Sequence, residues 1–365
     1  MPKTLDQHRR EYWTRAKRYD RELLGDHGVA GVRVKPWRCG VGDDVIVYAA
    51  LHVVFAIEDE GSIKANEEVD AFCKAITSQI TGCRAEEQSK RQGKPASNEW
   101  LYGRAGTLFL LRLVRQAYIR CRASDSDDDS TTLSTIDDSI RAVVREVVNA
   151  PRPWVWHRKA YLGAVHGSAG ITAQVLLSMK AIRGAISDED EEAENWIASM
   201  ETDVVQLLDS QFKEGGNWPS SLPSSPGEKP ADKLLQFCHG SPGIIACLSH
   251  ILSFYPHLSS KITNAVTRAQ PDLFARGRLA KEPCLCHGAT GNALALHDQK
   301  AREAFLAHAT EDVISDMIRR GLILESESPE GLYTGLAGRV WVWALGATKA
   351  FNEDQVGNFP GFDDV

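Results

Sequence analysis

Lys281-Glu-Pro-Cys-Leu-Cys-His-Gly-Ala-Thr-Gly-Asn292 sets two metal-binding side chains, Cys286 and His287, directly before a Gly-x-x-Gly step that launches an apolar run. The same wording recurs along the chain. Leu101-Tyr-Gly-Arg-Ala-Gly106, Tyr161-Leu-Gly-Ala-Val-His-Gly-Ser-Ala-Gly170, Phe237-Cys-His-Gly-Ser-Pro-Gly243 and Tyr333-Thr-Gly-Leu-Ala-Gly338 each precede an apolar stretch. The first glycines of the five steps, Gly103, Gly167, Gly240, Gly288 and Gly335, are separated by 64, 73, 48 and 47 residues, an internal repeat. One Gly-x-x-Gly is punctuation between helices. Five in register with apolar runs are an architecture.

Each period pairs an apolar run after the glycine step with a more amphipathic run before the next one, and alternating β-type stretches are scarce. This pattern predicts an all-α protein built as a closed ring of helical hairpins. The helices that are hydrophobic all round form the inside and the amphipathic ones the outer wall. Glycine lets the backbone turn sharply and the inner helices crowd together. All five turns then fall at one end of the ring, where a site can be built.

Working outward, the periodicity predicts helices over 44–57, 66–80 with Asn66 as N-cap, 107–120, 136–148, 171–182, 191–212, 244–255, a helical stretch from 292 to 320, and 339–351. Residues 84–97 read as a polar connector. Gly215–Pro226 reads as a long loop of the kind found at active sites. The segment from 124 to 130 is a solvated acidic loop, lacking the central Gly and terminal Glu of a calcium-binding loop. The entry to the first helix, Cys39-Gly-Val-Gly-Asp-Asp44, is glycine-rich but has lost the clean step.

Composition narrows the function. The chain has 365 residues, 43% of them hydrophobic, and a formal net charge of −7 with no Lys/Arg-rich block, which excludes a polyanion-binding surface. We expect no nucleic-acid partner. The first twenty residues are charged throughout and carry no apolar core of a secretion signal, and no apolar run reaches membrane-spanning length. Eight cysteines are scattered through a core-rich chain, so a reducing, cytoplasmic setting is expected. Cys73, Cys83, Cys121 and Cys247 read as small buried hydrophobes.

Cys238, Cys286 and His287 form a Cys2His set suited to zinc, which favours thiolate and imidazole in tetrahedral coordination. Three protein ligands leave a fourth position for water or substrate. Unmetallated buried thiols and a structural zinc are the competing readings. An open site of this kind activates a thiol by holding it deprotonated. Addition of that thiol to an electron-poor alkene leaves a carbanion that needs a proton, and His166, on an equivalent turn, is a candidate general acid. His239 is an acid/base candidate, an outer contact of the metal site or a simple turn residue. Arg104 and Lys281 are cations beside the turns that suit a substrate carboxylate, or are solvated charges.

The five motifs together, in this order, resemble the lanthionine synthetase C-like family, particularly its eukaryotic members, over residues 99–351. The resemblance implies a double α/α toroid with inner and outer rings of up to seven hairpins. Residues 1–37 would be a charged leader and residues 38–365 a single domain. It implies Cys238, Cys286 and His287 as zinc ligands and His166 as the catalytic histidine, with Lys281 near glutathione and Glu99 as an acidic residue of the site. It also implies the reaction: addition of glutathione, or of a peptide thiol, to dehydroalanine or dehydrobutyrine residues of a peptide or protein, forming a thioether. Cys284 departs from the family pattern and could bring an extra thiol to the metal. Two further readings stay open. One is a non-catalytic glutathione-binding scaffold with zinc; the other is prenyl-type transfer to a thiol, against which counts the lack of an aspartate beside either Cys turn.

Overall fold

The computed structural model describes residues 4–60, 63–122, 130–183, 191–324, 326, 328–347 and 357–363. The acidic segment from 124 to 129 and the end of the last expected helix lie outside them. Among the described residues, regular structure is helical, and paired extended backbone is confined to isolated bridges. The all-α class read from the periodicity holds. The chain forms two compact units, Met1–Val147 and Val148–Val365.

The first unit contains α1 (Leu5–Ala16), α2 (Asp20–Leu23), α3 (Asp44–Glu60), α4 (Ile63–Ile80), α5 (Gly82–Gln92), α6 (Arg104–Arg122) and α7 (Ser130–Val148). α3 packs against α4 and α6. Its buried side chains, Ile46, Ala49, Ala50, Val53, Val54 and Ile57, recur every three or four positions, so one stripe of the helix faces its neighbours. Each buried Val or Ile contributes about 1.5–3 kcal/mol, so the stripe outweighs any local propensity. The irregular entry to α3 still docks. Cys39 donates its backbone N–H to Tyr102 and Gly42 donates to Leu101, joining this turn to the next, while the Asp43 carboxylate caps Val45 and Ile46.

Cys83 and Cys121, read as buried hydrophobes, are exposed and half-buried respectively, and two expectations of helix bounds change. α4 begins at Ile63, so Asn66 lies inside the helix rather than capping it. Residues 82–92 form α5, where a connector was expected. Only Ala85 of α5 is buried, so it carries no apolar stripe to read; it ends on Gly93 in the left-handed conformation at φ +62°.

The charged leader folds onto α3. Thr4 and Gln7 exchange bonds in a capping box that starts α1, and Trp13 stacks on Phe55 with ring centres 4.3 Å apart. The Tyr48 hydroxyl donates to Asp20 at 2.6 Å, and His52 lies 3.5 Å from Asp20 and 3.3 Å from Glu68. The Glu68 carboxylate, despite partial burial and a repelling Lys17, raises the His52 imidazole above its ordinary value, with Asp20 adding to the effect. A raised folded-state value stabilises the protonated clasp fully below pH ~6.5, and the contribution is lost as pH rises through the raised value. Protection factors of the amides in residues 5–23, with the intrinsic rise of exchange with pH divided out, are therefore expected to fall over that window in the wild type and to stay flat in His52→Gln. Equal pH dependence in the two proteins would contradict the clasp.

The second unit contains α8 (Ser168–Ala181), α9 (Glu191–Asp209), α10 (Ser241–Ile251), α11 (Ser259–Arg276), α12 (Ala289–Leu294), α13 (Gln299–Leu306), α14 (Glu311–Arg319) and α15 (Leu336–Ala347). α8, α10, α12 and α15 follow one another side by side; α9 packs on α8, α11 on α10 and α13 on α12. This is the expected inner and outer pairing. Every residue of α8 from Ala169 to Met179 is buried, whereas α9 buries one stripe through Ala193, Trp196, Met200, Val204 and Leu207. The helical stretch expected over 292–320 is instead three short helices, broken where the Asp298 carboxylate caps Ala301 and where extended Thr310 precedes α14.

The glycine steps have a common cause. The second glycines, Gly106, Gly170, Gly243, Gly291 and Gly338, each press on the carbonyl oxygen of the residue six positions earlier. A Cβ there would lie 2.1, 1.7, 1.9, 1.9 and 2.1 Å from Trp100, Ala164, Phe237, Leu285 and Leu332 respectively. Close approach of backbone, rather than a left-handed conformation, requires glycine at these five positions.

Candidate metal centre

Neighbouring turns of the second unit are stitched through their backbones. Cys238 donates its N–H to the Cys286 carbonyl at 3.2 Å, and Cys286 donates to Tyr333 at 2.8 Å. The motif positions two residues before each first glycine are thus brought side by side, which is how thiols 48 residues apart meet. The two sulfurs and a ring nitrogen of His287 all lie within 4.8 Å of one another. Cys238 is buried; Cys286 and His287 are half-buried.

The donor chemistry fits zinc. Two sulfurs and an imidazole, with no carboxylate among them, are the set that a borderline-soft tetrahedral ion takes and that magnesium or calcium does not. The protons are arranged to match. A hydrogen bond from Cys286, opposed by burial and helped by His287, holds the Cys238 thiol well below its ordinary value. The same bond, together with burial, raises Cys286 well above its own. His287 is raised to about 9, first by Cys238 and then by Cys284. Thiolate and neutral imidazole are the metal-binding forms, so a metal bound here would displace protons from this set. Cys284 is buried and contacts His287, but its sulfur is not among the three converging atoms.

A cavity of about 360 Å³ opens beside His287 and is lined by Lys281, Glu282, Ser328 and Thr334 among others. Lys281 donates to the Gln236 side-chain oxygen at 3.1 Å, and the Gln236 amide nitrogen lies 3.0 Å from Cys238 Sγ. Gln236 carried no signal in the sequence.

On the other side of Cys238, the His239 and His166 rings lie 5.9 Å apart, with Tyr161 5.2 Å from His239 and 6.1 Å from His166. Burial lowers the His239 imidazole below its ordinary value, against the pull of Cys238, and its Nδ1 is buried with no hydrogen-bond partner. His166 is stacked under Trp156 at 3.9 Å with the rings 4° from parallel. Trp156 is held by a two-residue turn: it and Lys159 exchange backbone bonds of 3.0 Å, while His157 and Arg158 adopt φ +46° and +64°. Left-handed conformations at two non-glycine residues cost on the order of 1–3 kcal/mol each, and here they place one aromatic plate. Trp156 was missed in the sequence, where nothing distinguishes His157-Arg158 from an ordinary loop.

Glu99 and Arg104 belong to the first unit, where each holds partners of that unit. The Glu99 carboxylate accepts the backbone N–H groups of Leu101 and Tyr102, holding the turn before α6. The Arg104 guanidinium is buried, donating to the Ile80 carbonyl at 2.8 Å, to Asn98 at 3.1 Å and to Glu146 at 3.3 Å.

Comparison with known proteins adds three findings. The model of the family described as lanthionine synthetase C-like protein matches residues 53–343. Among curated proteins, the chain is 25% identical over 254 residues to "Glutathione S-transferase LANCL1" of Danio rerio, covering 68% of this chain and 58% of that protein. It is 26% identical over 262 residues to "LanC-like protein GCL1" of Arabidopsis thaliana, covering 68% and 54%. The chain thus spans about half the length of the curated relatives it matches. Among solved structures, nisin cyclase aligns over 95% of this chain and 96% of its own, with a TM-score of 0.42 and 13% identity.

Proposed function

Because the chain belongs to the lanthionine synthetase C-like family, whose fold is the α/α toroid, we propose that it joins a thiol, glutathione being the first candidate, to dehydroalanine or dehydrobutyrine residues. The observation that carries this reading is the convergence of Cys238, Cys286 and His287 beside a cavity lined by the cation Lys281. The name of the zebrafish relative supports glutathione as the thiol.

Zinc held by the three side chains would supply a fourth position that keeps a substrate thiol deprotonated near neutral pH. The chain's own residues supply the rest. Lys281 faces the cavity and holds a carboxylate of the thiol substrate. In the net reaction a C–S bond forms at the alkene β-carbon, the π pair moves to the α-carbon, and one proton is delivered there. His166 is the proton donor, its ring plane fixed by Trp156, and it is recharged by the proton that the thiol releases. His239, kept neutral by burial, positions the turn and carries no proton to the product. Glu99 and Arg104 do not enter this proposal. No helix among the described residues is long and apolar enough to cross a membrane.

Incubation with glutathione and a dehydroalanine peptide is the test. Mass spectrometry is expected to show the peptide heavier by one glutathione; binding of glutathione with no adduct would replace the proposal with the scaffold reading.

A further inference from the structure

We propose that Gln236 is a positioning residue that ties the cavity cation Lys281 to the ligand thiolate Cys238 through a single oriented amide. The inference rests on the reading of Cys238 as a metal ligand and deepens it.

The backbone of Gln236 is fixed first. It exchanges two bonds with His239, Gln236 N–H to His239 at 2.9 Å and His239 N–H to Gln236 at 3.1 Å, closing the tight turn that carries Cys238. The side chain is buried, so neither end of the amide can turn to water. Its partners then decide which end is which. The Lys281 ammonium can only donate, so the atom 3.1 Å from it must be the amide oxygen, and the NH2 group faces Cys238 Sγ at 3.0 Å. A flipped amide would set its N–H groups against the ammonium, so the flipped state is excluded at that end.

The consequence concerns the ligand sulfur. An N–H aimed at a thiolate withdraws charge from it and fixes its direction, and such outer contacts are worth about 10- to 100-fold in metal affinity. Because the same amide ends on Lys281, the cation that receives the substrate carboxylate sits at a fixed reach from the metal set. A buried amide with a partner at each end stiffens the ligand before any ion arrives.

The test uses the full-length protein loaded with cobalt(II), whose sulfur-to-metal charge-transfer band reports the electron density on the ligand thiolates, alongside zinc competition. Gln236→Met keeps the volume and removes the N–H. It is expected to weaken zinc binding about 10- to 100-fold and to move the band to lower energy. Lys281→Met, an exposed site whose loss the fold tolerates, is expected to move the band the same way by less, because the amide is no longer held. An unchanged band and unchanged zinc affinity in Gln236→Met would overturn the proposal. Should that variant fail to fold, an unchanged band in Lys281→Met would overturn it equally. Neither readout involves turnover. A shifted band with no peptide adduct would sink the enzymatic reading and leave this one standing, and adduct formation with an unchanged band would do the reverse.

Discussion

Cys286→Ala is expected to purify with almost no zinc and to form no adduct, while keeping the helical content of the wild type and melting with the metal-depleted wild type rather than with the loaded protein. The separation follows from which atoms do which work. The turn that carries Cys286 is held by backbone groups: its N–H donates to Tyr333 and its carbonyl accepts from Cys238. Alanine retains both. What is lost is one of three converging donor atoms, and with it the thiol whose hydrogen bond holds Cys238 below its ordinary value. Outer-contact changes alone cost about 10- to 100-fold in metal affinity, so removal of a ligand costs more. Metal analysis and circular dichroism on the same sample check the result. Stoichiometric zinc in the variant would mean that the three-atom set is not the metal site.

The largest effect on folding is expected at a glycine. In Gly170→Ala the new Cβ would lie 1.7 Å from the Ala164 carbonyl oxygen, a backbone atom with no rotamer to give. Around it, α8 is buried from Ala169 to Met179, so the strain cannot be relieved outward. We expect a loss of at least about 3 kcal/mol, the upper end of the range for overpacking, and a fall in melting temperature of at least about 6 °C. Gly93→Ala is the control. That residue has φ +62° but open space around its Cβ position, so only the left-handed penalty of about 1 kcal/mol applies. Equal shifts in the two variants would show that backbone crowding is not what the repeated glycine is for. The displaced turn also carries His166, so the Gly170 variant is expected to lose activity beyond its loss of folded protein.

The same glycines explain what was legible in the sequence. A repeat is read easily when one physical requirement, here a peptide oxygen in the place of a side chain, recurs with little freedom to vary. The apolar runs behind the steps follow for the same reason: α8 has no solvent face to vary. Outer elements left weaker traces. α5 buries a single alanine and is held as a helix by residue propensity and its Gly93 ending, so periodicity could not find it. α11 carries Pro271 within its body, which reads as a stop. The breaks between α12, α13 and α14 rest on single residues, the Asp298 cap and the extended backbone of Thr310, inside a run read as helical.

For the candidate site, the side chains with distinctive chemistry were visible and their helpers were not. Cys238, Cys286 and His287 stand out as soft donors at equivalent turns, and the backbone bonds between turns bring them to one place. Gln236 and Trp156 are common residues whose roles arise only from geometry. An amide becomes informative when its two ends meet an ammonium and a sulfur, and an indole when it lies flat on an imidazole. Arg104 shows the opposite case. A cation beside a motif turn looks available in sequence, yet in the fold each of its three guanidinium nitrogens donates to a carbonyl or side chain of the first unit.

The central claim is that the three-ligand centre activates the thiol, and a chelator titration of adduct formation tests it most directly. As zinc is withdrawn from the protein in the presence of glutathione and a dehydroalanine peptide, the rate of adduct formation should fall in proportion to the metal lost and return when zinc is restored. A rate that stays at its starting value in metal-depleted protein would contradict the account.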